Sequence, residues 1–122
     1  MVVEDDADIR EGLSALLDAE GYPVTLAGDG REALDVLGNA TATPGLILLD
    51  LMMPRMNGWQ FLEALKDLSG GVRIPIIVMS AYRENDRRIS DAALNRRVAF
   101  LRKPVDVNLL LKLIQHYCGN DN

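Results

Sequence analysis

Leu46-Ile47-Leu48-Leu49-Asp50-Leu51-Met52-Met53-Pro54-Arg55-Met56-Asn57-Gly58 is the stretch that decides the fold. Four apolar residues, Leu46 to Leu49, run unbroken into one carboxylate, Asp50, and the chain then turns through Pro54, Asn57 and Gly58. A short apolar run bounded by turn residues reads as a strand buried on both faces. The aspartate at its end needs a reason.

Outward from this strand, short apolar runs alternate with segments of helical period. Val2 and Val3 form a first short strand, followed by a helix with Ile9, Leu13, Leu16 and Leu17 on one face, which Gly21 stops. Val24 to Ala27 is a second strand, and Gly28-Asp29-Gly30 leads into a helix carrying Ala33, Leu34 and Leu37. After the third strand, Phe61, Leu62, Leu65 and Leu68 mark a third helix, ended by Gly70-Gly71. Ile76 to Met79 is a fourth strand closing on Ser80, residues 85 to 94 a weaker helix, and Val98 to Leu101 a fifth strand. Val107, Leu110, Leu111 and Ile114 place a fifth helix near the end. Five successive strand–helix units with doubly buried strands predict an α/β fold, a parallel sheet between two helical layers.

The bulk properties exclude several classes. With 122 residues the chain is one domain, set as residues 1–118 with a tail at 119–122. Its 13 basic and 18 acidic residues give a net charge of −5, which disfavours direct binding to nucleic acid or an anionic membrane surface. A single cysteine, Cys118, excludes an internal disulfide. No apolar run approaches the ~20 residues that cross a bilayer, and the acidic start is not a signal peptide, so a cytoplasmic location is expected.

In open α/β sheets the ligand crevice lies beyond the carboxyl ends of the strands. Four strands deliver polar residues there: Glu4 and Asp5, Asp50, Ser80, and Lys103. The second delivers only Gly28 and Asp29, as expected of an edge strand away from the crevice. Three clustered carboxylates raise one another's pKa unless a cation lies among them. Oxygen donors without nearby His or Cys suit a hard divalent ion such as Mg²⁺, or Mn²⁺.

The ordered blocks Val2-Val3-Glu4-Asp5-Asp6, Asp50 to Gly58, Met79-Ser80-Ala81 and Lys103-Pro104 resemble the receiver domain of two-component response regulators, over Val2 to about Tyr117. The resemblance implies a flavodoxin-like, doubly wound five-stranded sheet of order 2-1-3-4-5 with five helices. It implies a phosphorylation-dependent switch in which Asp50 takes a phosphoryl group from a phosphohistidine on a sensor kinase or phosphotransfer protein. Such a domain promotes its own phosphorylation and slow dephosphorylation. Asp5, Asp50 and the main-chain carbonyl of Met52 are then direct metal ligands, with Glu4 acting through water. Lys103 pairs first with Asp50 and then with the phosphoryl group, and Ser80 offers a hydroxyl. Ser80 and Phe100 form the switch pair, and Lys103-Pro104 is expected to be cis. Output is expected through the fourth helix, fifth strand and fifth helix, to an effector or a phosphorylation-dependent homodimer. Bulky Met52 and Tyr82, each two positions beyond Asp50 and Ser80, are expected to hinder water and slow phosphoryl loss.

Other readings stay open. An aspartate ending a buried strand can simply cap the next helix, and Asp6 is expected to be an N-cap rather than a ligand. Asp50 as the nucleophile of a phosphatase is disfavoured because Met52 stands where a second acid is needed; a receiver that binds partners without phosphorylation is the further alternative. Met52, Met53 and Met56 read as loop packing, while Trp59, His116 and Cys118 carry no chemistry. Arg83, Arg87, Arg88, Arg96, Arg97 and Arg102 form a basic face that Asp91 and Asp106 could oppose across an interface. The family usually has several apolar residues before the acidic pair where this chain has three, so an earlier natural start is expected. Asn95-Arg96-Arg97 replaces its Gly-Ala before the fifth strand.

Overall fold

The structure, a computed structural model, describes residues 1–39, 43–68, 74–81 and 98–118. The expected helix at 85–94, Tyr82, Asp91, the Asn95-Arg96-Arg97 segment and every arginine of the basic face except Arg102 lie outside the described residues.

Five parallel strands form one sheet in the order β2-β1-β3-β4-β5: β1 (Val2–Val3), β2 (Leu26–Ala27), β3 (Ile47–Asp50), β4 (Ile76–Ser80) and β5 (Val98–Arg102). The described helices are α1 (Ala7–Ala19), α2 (Gly30–Asn39), α3 (Gly58–Leu65) and α4 (Val107–Cys118). Because strand side chains alternate between faces, the double burial legible in the sequence divides into two cores. Val3, Ile47, Leu49, Ile76 and Val78 meet Ala33 of α2 and Phe61, Leu62 and Leu65 of α3. On the opposite face Val2, Leu48, Ile77, Met79 and Leu101 meet Leu17 of α1 and Leu110 and Ile114 of α4. Each fully buried aliphatic side chain contributes about 1.5–3 kcal/mol relative to exposure, which makes β1, β3 and β4 the rigid seat of whatever their ends carry.

Strand ends differ slightly from the sequence reading. β3, β4 and β5 each run one residue further, because Asp50, Ser80 and Arg102 still occupy register positions in the ladder. β2 is shorter, limited to Leu26 and Ala27.

Short polar side chains satisfy the free N–H groups of every described helix start. Asp6 caps α1, accepting from Asp8 N at 2.9 Å and Ile9 N at 3.1 Å, as expected. Asn57 and Gln60 form a reciprocal capping box on α3, with both bonds at 2.9 Å. Asp106, which is exposed, caps α4 through Asn108 N and Leu109 N. Asp29 does the same for α2, accepting from Glu32 N at 2.9 Å, while Glu32 Oε1 accepts from Gly28 N. Gly21, at φ +85°, takes the left-handed turn that ends α1.

Candidate functional site

The central strands deliver their terminal carboxylates to one place. Glu4 and Asp5 follow β1, Asp50 ends the adjacent β3, and one oxygen of each lies within 4.8 Å of the others. Glu4 and Asp50 are buried, whereas Asp5 is exposed. From the far side, Lys103 extends its ammonium to 3.2 Å from Asp50 Oδ1 and 3.5 Å from Glu4 Oε1. Lys103 follows β5 directly; its N–H donates to the Ser80 carbonyl at 2.9 Å, so β4 and β5 remain paired up to the site. The Lys103–Pro104 peptide is cis, as expected from the resemblance. Ser80 is buried at the end of β4.

One lysine among three carboxylates leaves the cluster rich in negative charge. Burial pushes the Glu4 carboxyl up; the Asp6 N–H it accepts draws it down, Asp50 beside it raises it again and Lys103 offsets part, leaving it at about 7. Burial likewise depresses the Lys103 ammonium, but Asp50 and Glu4 outweigh this and hold it above its ordinary value. All three side-chain donors are carboxylates, the donor set suited to Mg²⁺ or a similar hard ion. Such an ion fits these residues, since it neutralises the charge that burial penalises.

The turn after β3 is shaped around this site. Asp50 Oδ1 accepts from Met52 N at 3.2 Å. A Cβ at Gly58 would lie 2.7 Å from the Leu51 Cα and 2.9 Å from the Asp50 carbonyl oxygen, so α3 begins against the strand end only because residue 58 is glycine. Met53 and Met56 pack against the α2–α3 core as expected, but Met52 does not: it is 60% exposed, because the loop leaves the sheet at this point and carries its side chain to the rim. Phe100 is half-buried against the same core.

Two features escaped the sequence reading. Arg10 of α1 donates through Nη1 to the Glu4 carbonyl at 2.9 Å and reaches the Asp5 carbonyl at 3.5 Å, holding the acidic turn from behind. Asp29, passed over as an edge-strand residue, is buried and receives the Arg55 guanidinium from the β3–α3 loop. Both contacts depend on the reach of a long arginine side chain beyond its own element, and spacing along the chain gives no sign of them.

Residues 1–115 match the response regulator receiver domain family. The chain belongs to this family. Receiver domains are phosphorylation-dependent switches of two-component signalling, working with a histidine kinase and an effector, and this receiver shares that role. It is 39% identical to an uncharacterised 14.6 kDa protein of Leptolyngbya boryana over 97% of this chain and 88% of that protein. Response regulator MprA of Mycolicibacterium vanbaalenii is 39% identical over 91% of this chain, which spans only 46% of that longer protein. Among solved structures, the Vibrio cholerae chemotaxis protein CheY4 superposes with a TM-score of 0.82 at 31% identity, covering 95% of this receiver and 94% of its own chain. Among the described residues no helix is long and apolar enough to cross a membrane.

Proposed function

We propose that Asp50 is the phosphoacceptor of this receiver, supplied by a phosphohistidine on a sensor kinase or phosphotransfer protein. The observation that carries this reading is the setting of Asp50: a buried strand-end carboxylate that shares one small volume with Glu4 and Asp5 and faces Lys103 at 3.2 Å. In the transfer, an Asp50 carboxylate oxygen forms a bond to phosphorus while the bond from phosphorus to the donor imidazole nitrogen breaks, and the imidazole leaves with the electron pair. Asp5, Asp50 and the Met52 carbonyl would hold Mg²⁺ or Mn²⁺, with Glu4 acting through water; the ion would supply positive charge to offset that of the phosphoryl group. Lys103 exchanges Asp50 for a phosphoryl oxygen.

Ser80, at the adjacent strand end, is the hydroxyl that responds to the new group, and Phe100 on β5 follows it. The change is read on the face made by β5, α4 and the segment between β4 and β5, by an effector or by a second copy of the receiver. Met52, at the rim, and Tyr82 shield the phosphoryl group from water. The receiver unit is residues 1–118 with 119–122 as its tail, and it works in the cytoplasm.

Incubation with a small-molecule acyl phosphate and Mg²⁺, followed by intact mass, tests the assignment. The native chain is expected to gain one phosphoryl group and Asp50→Ala none. Equal gain in both, or gain by neither, would overturn it.

A further inference from the structure

A second constellation lies beside the site, at the junction of the β2–α2 turn and the β3–α3 loop. Arg55 has φ +61°, a left-handed conformation that a side chain with a Cβ adopts at a cost of roughly 1–2 kcal/mol and that glycine adopts freely. A strained non-glycine residue persists where its surroundings determine it. Here they do: Arg55 Nε donates to Asp29 Oδ2 at 2.7 Å, and Nη2 donates to the same oxygen. The other Asp29 oxygen is already used, capping α2 through Glu32 N. A second tie runs alongside, from Gly30 N to the Met56 carbonyl at 3.3 Å, and Gly30 lies so close that a Cβ there would be 2.8 Å from Met56 Cγ and 3.0 Å from Met56 O. Residues 55 and 56 are therefore fastened to the β2–α2 turn at two adjacent points. Within the loop, Met56 N bonds the Pro54 carbonyl at 2.7 Å and Gly58 N bonds the Leu51 carbonyl at 3.0 Å, so the course of residues 51–58 is set as one unit.

We propose that Arg55 is a positioning residue for divalent-ion binding: by anchoring on buried Asp29 it fixes the β3–α3 loop so that the Met52 main chain faces the carboxylate cluster. The inference rests on the metal site assigned above. The Arg55 side chain is 74% exposed, which screens the ion pair, and Asp29, 1% exposed, keeps its Glu32 N–H donor without it; what the pair chiefly controls is the loop's course. Residues that orient ligands from behind commonly govern metal affinity by about 10- to 100-fold.

Binding of Mg²⁺ alone to the full chain, followed by isothermal titration calorimetry, tests this alongside thermal unfolding. Arg55→Gln and Asp29→Asn, which keeps a capping oxygen, are each expected to weaken Mg²⁺ binding about tenfold, toward the lower end of that range, and the double variant no further than either single one. Arg55→Gly separates positioning from stability, because it removes strain while deleting the clasp: the expected result is weakened Mg²⁺ binding with a melting temperature equal to or above native. Native affinity in Arg55→Gln and Arg55→Gly overturns the proposal, as do additive losses in the double variant. Failure of the native chain itself to take up Mg²⁺ overturns the metal site, and the clasp's role with it, whereas native uptake with unchanged variants overturns the clasp's role alone.

Discussion

Asp29 and Asp50 are both buried aspartates at the same end of the same sheet, yet their surroundings differ in kind. Asp29 at the edge has its needs met: Glu32 N–H caps one oxygen, and this bond, opposed by burial and helped by Arg55, holds its carboxyl below the usual carboxylate range. At the centre, Asp50 shares its space with Glu4 and Asp5, and a single ammonium faces them. Glu4 there moves the opposite way, up to about 7. Burial alone therefore does not mark a functional acid. A carboxylate matched by donors shapes the chain, and one crowded by its own kind is the candidate for holding a cation.

Removing Lys103, whose ammonium pairs with Asp50 and Glu4, gives the largest expected effect. Lys103→Ala should slow phosphoryl uptake from an acyl phosphate by about 100-fold, the cost typical of losing one donor aimed at developing charge. Time-resolved intact mass measures it, and an unchanged rate would make Lys103 as structural as Arg55's partner. Next, Asp29→Ala deletes both a helix cap and an ion partner and should cost about 1–2 kcal/mol in urea unfolding, whereas Asp29→Asn should recover most of that.

The two regions should also respond oppositely to pH in the absence of divalent ions. For Glu4 the folded value lies above the unfolded 4.5, so its contribution to stability is fully present below about 4.5 and is lost as pH rises through about 7. For Asp29 the folded value lies below the unfolded 3.8, so its contribution is present above 3.8 and is lost only in stronger acid. Glu4→Gln should flatten the stability profile between 4.5 and 7, and Asp29→Asn should alter only the acid limb; unfolding curves across pH would reveal a shared dependence if the distinction is false. The smallest effect is expected at Asp6. Asp6→Ala should cost about 1 kcal/mol by loss of the α1 cap and leave Mg²⁺ affinity native, separating an acid that caps from its neighbour Asp5.

Much of the fold is legible in the sequence because short apolar runs such as Leu46–Leu49 and Ile76–Met79 alternate with segments of helical period, a pattern that implies a parallel sheet covered on both faces. Polarity ends each predicted strand one residue early, since Asp50, Ser80 and Arg102 are polar yet still occupy ladder positions. The central site was legible for the same reason: a carboxylate that ends a buried strand has a fixed direction in space. Asp29 was not, since a carboxylate after an edge strand looks the same whether it faces water or a guanidinium. Arg55 and Arg10 act through long side chains across loops, a reach that sequence separations of 26 and 6 residues do not encode.

The main-chain bond from Lys103 to the Ser80 carbonyl sets where motion can occur. It locks the seam between the two outermost strands on that side right up to the chemistry, so the sheet acts as an abutment under Asp50. Any displacement demanded by an added group therefore falls to the side chains that project from these fixed strand ends, much as a bolted hinge plate passes all travel to its door.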